Sequence, residues 1–171
     1  MSSDKVYTYL DQLLNQPICS IGRASNMLWI GMGELFETVN FKGETVKKST
    51  MALHVQATWR IVNKPKKEIR LASSDFYSPN SATVWSEDFD WDVQGNNLFD
   101  EKARLWLTRE RPIYIKEYKI NRWGDLLLIL SNDDCLEIYV AASDDTECWR
   151  MLKYCSDEEH LVVTGLGYEF E

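Results

Sequence analysis

The chain has 171 residues, 44% hydrophobic and 27% charged, with 27 acidic against 19 basic side chains and a formal net charge of −8. That length fits one domain, residues 1–171, able to bury roughly 70% of the surface its unfolded form exposes, and the composition excludes disorder as the default. No apolar run approaches a membrane span and no leader pattern opens the chain, so a cytoplasmic protein with reduced cysteines is expected.

Residues 4–15 read as a helix, because Val6, Tyr9, Leu10, Leu13 and Leu14 recur at three- and four-residue intervals and Pro17 follows. Residues 26–32 read as a strand. Residues 36–41 and 44–48 flank Lys42-Gly43 as a hairpin. The clearest strand is 52–62, where Leu53, Val55, Ala57, Trp59 and Ile61 alternate with His54, Gln56, Thr58 and Arg60. That period of two gives a strand one buried and one open face. After the turn-forming 63–66, the chain returns antiparallel through Ile69, Leu71 and Ser73.

Residues 74–96 are irregular, and Asn97 then caps a second helix over 98–108, which Pro112 ends. Five strands follow at a spacing near ten residues, over 113–120, 125–130, 136–142, 148–154 and 160–166, which predicts an antiparallel meander. A hairpin of the third and fourth, with Ala142 opposite Cys148, places Cys135 opposite Cys155. The expected compartment keeps these as thiols. The fold predicted is α+β: a strongly curved antiparallel β-sheet or partial barrel with two amphipathic helices. Leu53, Val55, Trp59, Leu128, Leu136, Ile138, Val140 and Val162 are its expected core.

Charge is uneven along the chain. Residues 124–171 hold twelve acids against Arg150 and Lys153, whereas 41–70 hold eight basic residues against Glu44 and Glu68. Opposite poles of this kind choose partners and speed encounter. Within 85–92, Trp85, Asp88, Asp90, Trp91 and Asp92 form an acidic-aromatic patch whose rings supply area and whose carboxylates select a basic protein partner. The spacing of Asp88, Asp90 and Asp92 matches the opening of a calcium loop, but Val93 stands where the turn glycine belongs and Phe99 where the last acid belongs. No metal or cofactor is therefore expected.

A second candidate surface is the polar strand face of His54, Gln56 and Arg60, with Asp75 joining from the next strand. A histidine and an arginine on one wall suit proton movement and anion binding. No nucleophile stands beside a base, so no catalytic residue is assigned. Gly31-x-Gly33 and Gly165-x-Gly167 do not extend to a dinucleotide fingerprint, and the net charge opposes nucleic-acid binding. No membrane contact is expected. A homo-oligomer joined through basic and acidic surfaces is a further arrangement.

Asp125-Leu126, Leu136-Glu137-Ile138, Trp149-Arg150, His160-Leu161-Val162-Val163 and Gly165-x-Gly167 together resemble small uncharacterised bacterial β-rich proteins, some of them immunity-like. The resemblance covers the last third of the chain. The acidic C-terminal third and the 88–92 patch point to a non-catalytic protein-binding module acting through an acidic surface, and the resemblance suggests an immunity-type inhibitor as its form. The alternative is a small-molecule-binding protein or enzyme using the His54/Gln56/Arg60 face.

Overall fold

Alternating side chains give the first half of the molecule its long hairpins. In the computed structural model, which describes residues 3–109, 112–154 and 156–171, β1 (Ile18–Ala24) turns through Ser25 and Asn26 into β2 (Met27–Val39). Ser25 takes the left-handed conformation, with φ 53°, that a two-residue hairpin turn demands. The predicted Lys42-Gly43 turn joins β2 to β3 (Thr45–Val55), with Gly43 at φ 79°.

The run predicted as one strand is two. β3 ends at Val55, β4 begins at Thr58 and continues to Asn63, and each belongs to a different sheet. Between them the N–H groups of Gln56 and Ala57 both donate to the carbonyl of Cys148, at 2.8 and 2.9 Å. Two residues facing one is bulge geometry, which bends a strand and lets it change sheets. Alternation survives the corner: Leu53, Val55, Trp59 and Ile61 are all buried and Ala57 is partly so.

β5 (Glu68–Ala72), β6 (Ile115–Ile120), β7 (Leu126–Leu130), β8 (Asp134–Tyr139), β9 (Glu147–Lys153), β10 (Leu161–Thr164) and β11 (Gly167–Phe170) complete the strands. The first sheet has the order β1-β2-β3-β9-β10-β11 and the second β5-β4-β8-β7-β6. All pairings are antiparallel. The fold is thus α+β, but neither sheet is strongly curled and no barrel closes. The bend expected across one sheet is concentrated at a corner between two.

The predicted meander holds only for β6, β7 and β8. β9 leaves for the first sheet, where it lies between β3 and β10, so the expected β8–β9 hairpin does not form. Cys135 instead stands opposite Val62 and Ile129, and Cys155 lies outside the described residues. Ile69 is also displaced. Arg70 is the extra residue of a bulge, which leaves Leu71 buried opposite Ile61 and turns Ile69 to solvent beside Val62.

Helix α1 (Ser3–Leu10) is shorter than predicted and passes into a 3-10 turn over Asp11–Leu13. Helix α2 (Leu98–Arg109) begins as expected, with the Asn97 side chain accepting from the Asp100 N–H at 2.9 Å. One buried cluster draws on both helices and both sheets. Of the expected core, Val140 is only partly buried, and Val162 is buried apart from that cluster, opposite Arg150.

Trp59 packs edge-on against Phe76 and Phe99, at 5.7 and 5.8 Å between ring centres, tying β4 to the turn after β5 and to α2. Its indole N–H is buried without an acceptor among the described residues. Trp59→Ala should cost about 3–5 kcal/mol in urea unfolding. Trp59→Phe should cost markedly less, because it keeps a ring and deletes the unpaired donor. Equal losses would contradict this packing.

Candidate functional site

The outer face of the first sheet has a floor of small residues between aromatic walls. On β2, Gly31 lies across from Ala52 of β3, and Trp29 lies across from His54. A Cβ on Gly31 would come within 2.3 Å of Ser20 Oγ and 2.5 Å of Ser49 Oγ, so a larger residue there would have to push both hydroxyls aside. The Trp29 indole lies against Gly22 of β1, where a Cβ would approach its ring to 2.3 Å. The result is a pocket of about 410 Å³ walled by Met27, Trp29, His54 and Tyr154, with Lys47 and Lys48 at its rim.

His54 stands between Trp29 and Arg150 on the neighbouring strands. The Arg150 guanidinium donates to both Glu147 carboxylate oxygens, at 2.9 and 2.5 Å, and to Glu171 at 3.3 Å. Gln56 helps to hold the same Glu147 carboxyl low. Burial holds the His54 imidazole below its ordinary pKa. Glu147 pulls it upward, while Arg150 and His160 push it further down. Glu147 is held below the carboxylate range, chiefly by its hydrogen bond from Arg150.

The corner after Val55 divides the polar row that alternation predicts. His54 and Gln56 remain on the first sheet, but Arg60 projects from the second, where it donates to Glu137 at 2.6 Å and to the Tyr139 hydroxyl at 3.1 Å. Asp75 is engaged elsewhere, accepting from the Ala72 N–H at 3.1 Å and from Lys102 at 3.3 Å. His54, Gln56, Arg60 and Asp75 therefore do not form one wall.

The acidic-aromatic patch also separates into two groups. Trp91 packs against Tyr77 at 5.0 Å, and Asp92 binds Arg23. The Arg23 side chain is only 1% exposed and donates to Asp92, to both Asp100 oxygens, and to the carbonyls of Ser25, Asp92 and Val93. The Asp90 carboxylate accepts from the Asp92 N–H. Asp88 and Trp85 project outward, with Trp85 69% exposed and tilted on Phe89. Arg23 was invisible in the sequence, where it is one arginine in an unpatterned strand.

The C-terminal acids do not make the single pole expected of them. Asp134 is fully buried; Glu137 meets Arg60 and Lys64; Glu147 and Glu171 meet Arg150; Glu158 meets Lys153; Glu159 meets Lys5. Pairing of β4 with β8 brings Arg60 and Lys64 to Glu137 and helix α1 brings Lys5 to Glu159, whereas Arg150 and Lys153 are the segment's own bases. Among the described residues no group of three His, Cys, Asp or Glu is arranged to hold a metal ion, and no helix is long and apolar enough to cross a membrane.

A larger cleft of about 660 Å³ lies between β1, α2 and the loop 80–96. Much of its polar lining is already committed: Ser81 to Glu101, Asn80 to the Gly95 carbonyl, and Gln94 to Asp100. The sheet-face pocket keeps its groups free, since His54 makes no hydrogen bond and Lys47 and Lys48 no ion pair with a described residue. No family model matches this chain, and no curated protein or solved structure matches it either.

The depressed His54 pKa has a stability consequence. The neutral ring is favoured by folding, so its contribution is complete above the ordinary value of 6.5 and is lost as pH falls through the lowered folded value. His54→Gln should flatten the decline in urea midpoint across that window while leaving the decline below pH 4.5, where Glu147 protonates, in place. An unchanged profile would place His54 in solvent.

Proposed function

We propose that this protein binds a small molecule on the outer face of its first sheet, held between Trp29 and Tyr154. The observation that carries the reading is a glycine- and alanine-floored pocket flanked by two rings on a sheet face, with an imidazole at its wall that makes no hydrogen bond to a described residue. Its volume lies at the small end of ligand sites, which are concave and mostly apolar with a few placed polar groups. No reaction is proposed, because no nucleophile and base are paired there.

The protein-binding alternative, an immunity-type inhibitor, rests on a different surface. Val84 and Trp85 are 84% and 69% exposed in a loop whose acids are Glu87, Asp88, Asp90 and Asp92. Exposed rings among carboxylates suit a basic partner. Of the twelve C-terminal acids that reading invoked, six are ion-paired with described residues: Asp134, Glu137, Glu147, Glu158, Glu159 and Glu171.

A fragment library screened by protein-observed NMR separates the two. Binders should shift the Trp29 indole and the amides of Gly31, Ala52, His54 and Tyr154, and Trp29→Ala or Tyr154→Ala should weaken them about tenfold or more, the scale of one lost aromatic contact. Binders that map only to 80–96, or that ignore both variants, would overturn the sheet-face site.

A further inference from the structure

We infer that the ligand of the sheet-face pocket is an anion with an aromatic or apolar body, its charged group taken by Lys47 and Lys48. This rests on the binding reading above and adds the ligand's chemistry.

The strongest observation is electrostatic. In a chain with eight more acids than bases, the pocket is lined by two lysines and a histidine and by no aspartate or glutamate. The Lys48 ammonium lies 5.4 Å over the Tyr154 ring, which directs its charge toward the aromatic wall. Both lysines are exposed, and neither forms an ion pair with a described residue. Among the acids nearby, Glu37 of β2 stands opposite Lys47 but makes no ion pair within 4 Å, and Glu147 is held by Arg150 on the far side of His54. Two lysine cations side by side on an acidic molecule make a local positive potential over an apolar surface.

The other walls set the body of the ligand. Trp29 and Tyr154 offer ring faces, Met27 an adaptable thioether chain, and Gly31 with Ala52 a floor that lets a flat group approach the backbone. Burial keeps His54 neutral at neutral pH, so it offers a donor or an acceptor rather than a charge. On protonation it would add to the attraction. A carboxylate, sulfonate or phosphate ester of a small aromatic compound meets all of these groups together.

Two fluorescent probes with similar bodies test this. 8-Anilinonaphthalene-1-sulfonate carries the charge, and N-phenyl-1-naphthylamine lacks it. The full chain should bind the sulfonate about tenfold more tightly, the scale of a hydrogen bond to a charged group. Lys47→Gln/Lys48→Gln should abolish that advantage while leaving the neutral probe unchanged. Added salt should weaken the sulfonate alone. Equal binding of both probes, unaffected by the lysine variant but reduced by Trp29→Ala, would overturn the anion inference and leave the pocket. Binding of both probes unaffected by Trp29→Ala would overturn the pocket itself, and the inference with it.

Discussion

Two backbone N–H groups, those of Gln56 and Ala57, converge on the single carbonyl of Cys148, and the architecture follows from that contact. A strand that continued straight would extend the first sheet and leave Trp59 and Ile61 without a facing layer. Bent at this point, the chain starts a second sheet whose inner residues meet those of the first. The buried cluster of Leu53, Val55, Trp59, Ile61, Trp149 and Met151 is assembled around the bend. A bulge costs one regular ladder position and returns a closed apolar interior, which dominates the energetics of a domain this size.

Two buried polar hubs then fix what the sheets leave loose. Arg23 fastens β1 to the loop before α2 and to the first turn of α2. Asp134 accepts from Asn63, Trp106 and Asn132 at 2.8, 2.7 and 2.9 Å, joining β4, α2 and the β7–β8 turn. Each is buried with its hydrogen-bonding capacity well used, the condition under which a buried charge is tolerated. Such groups hold α2 to one orientation, and the loop 80–96 is fastened by Arg23 at Asp92 and Val93 and by Glu101 at Ser81.

Much of the fold was legible because periodicity is local. The alternation from Leu53 to Ile61, the Asn97 cap and the strand runs of the second half each appear within a few residues and are found where expected. What was hidden depends on distant partners. The break at Gln56 needs Cys148; the role of Arg23 needs Asp92 and Asp100; and the place of Gly22 in β1 needs the Trp29 ring that lies against it. The site was half legible for the same reason. His54 and Gln56 were singled out by alternation, but Arg60 was assigned to the same wall by a straight-strand assumption. Trp29, Tyr154, Lys47 and Lys48 come together only through pairing of β2, β3 and β9. The charge blocks meet at few points: Arg60 and Lys64 reach Glu137 and Arg70 reaches Asp134 across strands, whereas Arg150 and Lys153 pair with acids of their own segment.

The account therefore turns on the corner between β3 and β4, since it creates the core and separates the sheet-face pocket from Arg60. Amide hydrogen exchange followed by NMR at Gln56 and Ala57 reads it most directly. Both amides should be protected to the level of Leu53 and Trp149, which exchange only when the sheets part. Exchange at either position as fast as in the exposed loop 80–96 would mean that the Cys148 carbonyl does not hold the bend, and the two-sheet arrangement would lose its foundation.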